Sequence, residues 1–85
     1  MPEVIRADGT IDFDELRYRY EHIAPQHVGR RVATQIAGTT DLKSLPKKDR
    51  RWIGKRVGMM FKKFGWMELA AMSNQYEIDH PDITT

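Results

Sequence analysis

Eight of the chain's fourteen Lys and Arg fall within residues 46–66, PKKDRRWIGKRVGMMFKKFGW, in the company of a single acid, Asp49. The chemistry open to such a run is the binding of a polyanion. Lysine and arginine donate charge-assisted hydrogen bonds to phosphate and carboxylate oxygens, and a block of them focuses a positive field. On a helix, like charges at i,i+4, such as Arg51 with Lys55, cost roughly a few tenths of a kcal/mol, where opposite charges would gain as much. A run needed only for solubility would mix acids with its bases. An anion lying along the run relieves the repulsion.

The segregation extends to the whole chain. Residues 1–29 carry three Arg against six acids, a net of −3, and residues 30–66 carry eleven Lys and Arg against two acids, a net of +9. Residues 67–85 carry four acids and no Lys or Arg, a net of −4. Two arrangements fit this pattern. Either the basic middle meets a polyanion partner, or the acidic ends fold over it and neutralise it.

Other reactive groups are few. The absence of cysteine excludes a disulfide framework, a thiolate metal site and a cysteine nucleophile. His22, His27 and His80 are the only histidines. His22 and His27 approach each other across Pro25, but no nearby carboxylate completes a metal set, so a surface role is expected. Asp12, Asp14 and Glu15 suit the capping and dipole chemistry of a helix N-terminus. Gly54-Lys55-Arg56-Val57-Gly58 resembles a phosphate loop only superficially, because it lies inside an amphipathic helical pattern. The chain therefore reads as non-catalytic, with no cofactor and no metal.

Eighty-five residues make one domain. A flexible lead-in is expected over 1–11, with the turn pair Asp8-Gly9 and a short extended piece at Val4-Ile5. The domain proper spans 12–78, and 79–85 form a flexible tail. Asp12, with Glu15 three residues on, has the spacing of a capping box and opens a first helix over 13–23. Phe13, Leu16, Tyr20 and Ile23 recur on its inner face. Pro25 opens a second helix, with Val28, Val32, Ala33 and Ile36 inward and Gly38 as its terminator. Thr39-Thr40-Asp41 caps a short turn holding Leu42 and Leu45. The third helix runs from Pro46 to Phe64, with Gly65 as an αL terminator. Residues 66–72 fit either strand or helix. With the turn pair Ser73-Asn74 and the alternation of Gln75 to Ile78, the reading taken is a small β-hairpin, although Met, Leu and Ala are better helix formers.

At about 100° per residue, Met60, Ile53, Phe64, Val57 and Phe61 share one apolar arc of the third helix. Lys62, Lys55, Arg51 and Lys48 form the opposite stripe, with Lys47 and Arg56 beside it. Trp52 and Met59 stand on one flank. Lys43 in the linker and Arg30 and Arg31 on the second helix extend the contact to flanking phosphates. Gly54 and Gly58 cost about 1 kcal/mol each against Ala inside a helix. Close approach of another backbone, a neighbouring helix or a phosphodiester strand, accounts for them. Trp52, Met59 and Tyr18 are the candidate residues for a protein interface.

The stretch DRRWIGKRVGMMFKKFGWMELAAMSNQYEI, residues 49–78, resembles the C-terminal winged-helix module of phage- and plasmid-type primase-helicases and VirE-like proteins. The resemblance implies a helix-rich α+β fold, a three-helix winged-helix (helix-turn-helix) domain whose C-terminal hairpin is the wing. The alternative fold is an all-α small bundle. It also implies contact with duplex DNA through the helix over 46–64. The wing segment carries no basic residue, so the helix must supply that contact. No ATPase or primase domain accompanies the module, which suggests a stand-alone adapter or regulator of phage or mobile-element origin.

The expected function is thus a small DNA-binding protein of transcription regulation or DNA replication. The alternative is a protein-interaction module, such as a phage-type inhibitor or assembly factor, whose basic helix docks on an acidic partner. A homodimer is consistent with either, because one small reading helix rarely supplies enough specific contacts. No apolar run approaches the roughly 20 residues that span a bilayer, and MPEVIRADGT lacks the pattern of a secretory peptide, so no membrane contact and a cytoplasmic location are expected.

Overall fold

The computed structural model describes residues 4–81. Within them lie four helices, α1 (Phe13–Tyr20), α2 (Pro25–Ala37), α3 (Lys47–Phe64) and α4 (Trp66–Asp79), and a 3₁₀ turn at Leu42–Ser44. Residues 1–3 of the expected lead-in (1–11) and 82–85 of the expected tail (79–85) lie outside the described residues.

Asp12 caps α1, its Oδ1 accepting the Glu15 N–H at 3.1 Å. The reciprocal half of the capping box is not made. The Glu15 carboxylate instead accepts Arg19 Nε at 2.7 Å, and the Asp12 N–H donates to the Val4 carbonyl at 2.8 Å. That second bond ties the segment before α1 to the domain. Ile5 and Ile11 form an antiparallel bridge around the Asp8-Gly9 turn, and Val4 is buried in the core. The helix stops at Tyr20, earlier than its apolar spacing suggested. Leu16 and Tyr20 are buried, whereas Phe13 stands in solvent. The second helix has Pro25 in its first turn and closes on Gly38 at φ 71°.

The hairpin expected after Gly65 is absent. Residues Trp66–Asp79 form one α-helix, and apart from the Ile5–Ile11 bridge the described residues contain no β pairing. The architecture is an all-α small bundle and not a winged helix. Two local features favour it. Met67, Leu69, Ala70, Ala71 and Met72 are good helix formers. Gly65, at φ 79° and ψ 159°, adopts an extended positive-φ conformation open essentially only to glycine, not the αL conformation of a helix terminator. Its N–H donates to Phe61 O at 2.9 Å while its carbonyl accepts the Leu69 N–H at 3.2 Å. One residue thus closes α3 and opens α4.

The turn chemistry of Ser73-Asn74 and the alternation of Gln75 to Ile78 are overridden by burial of the helix around them. Leu69 has no exposed surface, and Ala70, Ala71 and Ser73 are buried beside it. Small residues let neighbours approach from several sides, and α4 packs against α1, α2 and α3. The Ser73 carbonyl also accepts Gln35 Nε2 at 2.9 Å from α2. In contrast α3 buries fully only Ile53, with Val57, Met60, Phe61 and Phe64 partly covered. Its contact with α2 is close where Gly29 abuts the Phe61 ring, which stands 3.5 Å from where a Cβ would sit. A helix held by one edge leaves most of its circumference to solvent.

Candidate polyanion interface

That free circumference is cationic. Lys47, Lys48, Arg50, Arg51, Lys55, Arg56, Lys62 and Lys63 are all exposed on α3. None of them makes an ion pair with any described acid; ion pairs among the described residues are Arg6–Asp12, Arg19–Glu15 and Arg31–Glu77. Among the described residues an acidic end therefore meets the basic middle only at Arg31–Glu77, and not on α3. Asp12, Glu15 and Glu77 pair with arginines of the lead-in, α1 and α2, and the bases of α3 are left without a paired acid among the described residues.

The stripe of Lys48, Arg51, Lys55 and Lys62 lies together on the outer face, held there by the burial of Ile53 and the partial burial of Val57, Met60, Phe61 and Phe64 opposite. Lys47 and Arg56 share the same helix. Lys43 is exposed on the 3₁₀ turn before α3, and Arg30 is exposed on α2, next to Gly29. Both stand on elements other than α3. Arg31 does not join it. Its guanidinium forms a bidentate bridge to the Glu77 carboxylate on α4, with Asn74 Oδ1 also accepting at 3.4 Å. Those hydrogen bonds hold the Glu77 carboxyl below its usual range and raise the Arg31 guanidinium above its own. Arg31 is thus a strut between α2 and α4.

Arg50 and Lys63 belong to the cationic surface although neither stands in the expected stripe. The helical wheel places Arg50 near the apolar arc, but it is exposed in the first turn of α3. For Lys63 the wheel already carried the signal, since it falls between Trp52 and Arg56.

Trp52 and Met59 are 55% and 68% exposed, large values for apolar side chains in the middle of a charged face. The Arg56 Cζ stands 5.3 Å from the centroid of the Trp52 ring, a cation–π contact. On its inner side Trp52 borders a shallow cleft with Ile36, Leu45, Asp49 and Ile53. Tyr18, also exposed, lies on α1 and so apart from this cluster in the sequence. Gly54 and Gly58 are exposed, and a Cβ built on either meets nothing within 4 Å. Approach of a neighbouring helix within the chain does not account for them.

A separate concavity of about 350 Å³ between α2, α3 and α4 is lined by Val32, Ile36, Met60, Leu69, Met72 and Tyr76 with Gln35 and Ser73. It brings no carboxylate, histidine or cation together. His22 and His27 are both exposed, and no cluster of potential metal ligands occurs among the described residues. No helix among them is long and apolar enough to cross a membrane. No family model, curated protein or solved structure matches the chain.

Proposed function

We propose that this protein is a non-catalytic DNA-binding domain, serving transcription control or DNA replication, that holds its ligand along the outer face of α3. The observation that carries this reading is the set of eight exposed Lys and Arg on one helix, none of them paired with an acid among the described residues. Phosphate is the anion such a face takes best, because repeated phosphates present charge at a spacing a helix can follow. Neutralising about six of them makes log affinity fall with log salt at a slope of about −4 to −5.

Titration of DNA in a mobility-shift assay at about 50 and about 200 mM salt tests it. Binding at low salt that falls by orders of magnitude at the higher salt is expected. Arg51→Glu combined with Lys55→Glu abolishes the shift while circular dichroism stays unchanged, since neither side chain has a partner in the fold. Retained binding by that variant would place the contact elsewhere.

A second reading, docking on an acidic protein, is favoured by the exposure of Trp52 and Met59, which suit an amphipathic protein surface as well. Binding of polyglutamate with affinity equal to that for DNA would select it.

A further inference from the structure

Two exposed apolar side chains in the middle of a phosphate-binding face are unnecessary if phosphate is all that it touches. On the helical wheel Trp52 and Met59 form a strip, with Lys48 and Lys55 on one side and Arg56 and Lys63 on the other. They are seven positions apart, about 10 Å along the axis, the rise of about three stacked nucleotides. The Arg56 guanidinium lies over one face of the Trp52 ring, and the tryptophan stays more than half exposed.

In a duplex the faces of the bases are closed by their neighbours, and only base edges reach the grooves. A single strand offers phosphates and open π-faces together, the combination that a cationic groove with an aromatic platform takes up. We propose that the preferred ligand of α3 is single-stranded DNA, with an unpaired base stacked on Trp52, a second packed on Met59, and the phosphates held by the cationic rows on either side. This rests on the reading of α3 as a DNA-binding helix. A second copy of the chain is disfavoured as the occupant, because pairing two α3 faces would bring like charges together.

The test is fluorescence anisotropy of the intact chain with labelled oligothymidylate of about sixteen nucleotides, a duplex of equal length, an oligouridylate and polyglutamate, all at low salt. The single strand of DNA should bind at least about tenfold more tightly than the duplex. Trp52→Ala should weaken that binding about tenfold, the loss of one stacked base, while duplex binding stays within twofold or so. Trp52→Phe should restore most of the loss, and both variants should keep the helical circular dichroism of the parent.

Equal or tighter duplex binding, or equal loss on both ligands in Trp52→Ala, would overturn the inference and leave DNA binding standing. Tighter binding of the oligouridylate would overturn the assignment to DNA. Absence of binding to either form of DNA, or a preference for polyglutamate, would overturn the DNA reading itself along with this inference.

Discussion

Arg31 and Glu77 show how one pairing divides structural from available charge. Both are basic-block or acidic-block residues in the sequence, yet together they form a half-buried, bidentate strut between α2 and α4. A bridge partly screened by solvent contributes about 1 kcal/mol, so Glu77→Gln should lower the stability at neutral pH by that order, read from urea denaturation. The pH dependence has a definite sign. The folded Glu77 carboxyl is held below its ordinary value of 4.5, chiefly by the Arg31 hydrogen bonds. Its contribution is therefore complete above 4.5 and is lost as pH falls through the lower, folded value. Asp8, held low mainly by the Thr10 hydroxyl, titrates in the same direction. Comparing the parent with Glu77→Gln isolates the bridge: the acid limb of the stability curve should flatten in the variant. An unchanged limb would show that the pair is not formed in solution.

At the scale of elements, the glycines of residues 54–65 divide by backbone conformation. Gly65 turns the chain from α3 into α4 at φ 79° and ψ 159°. Gly65→Ala should destabilise the domain by about 1–3 kcal/mol, the strain of holding an L-residue there. Gly54 and Gly58 are helical, exposed and without neighbours at the Cβ position. Replacing either with Ala should stabilise the domain by about 1 kcal/mol, since only helix propensity changes. Denaturant midpoints on the three variants check both signs. Loss of stability in Gly54→Ala or Gly58→Ala would mean that a backbone does approach α3 there in the folded chain. The same element explains the wing that did not form. A segment of good helix formers follows a glycine that can redirect a helix in one residue, and α4 rather than a hairpin is the outcome.

For the whole molecule, charge is separated by construction. Asp12, Glu15 and Glu77 pair with arginines of the lead-in, α1 and α2, α4 packs against the other three helices, and α3 is held by one edge with its bases outward. Such a molecule should gain stability when a polyanion binds. Saturation at about a hundred times Kd adds about 2.7 kcal/mol, seen as a rise in Tm with added DNA. The Arg51→Glu, Lys55→Glu variant should lose that gain and be at least as stable as the parent without ligand, because reversing two bases relieves repulsion among their neighbours. A ligand-free Tm well below the parent's would show that these side chains have structural partners. Differential scanning fluorimetry with and without DNA measures both.

The sequence by itself determined α2 and α3, the start of α1 though not its end, the caps at Asp12 and Gly38, and the apolar and cationic faces of α3. Each follows from local spacing, capping chemistry and proline or glycine geometry, which act within a few residues. It also located the basic block, since charge is read directly from residue type. Only the tertiary structure decided three further points. The identity of residues 66–79 depended on burial of Leu69, Ala70 and Ala71 among three other helices, a long-range effect that outweighs the local turn preference of Ser73-Asn74. The engagement of Arg31 depended on Glu77, forty-six positions away. The freedom of the α3 cations depended on where the acids come to rest, and charge composition is blind to that because it carries no distances.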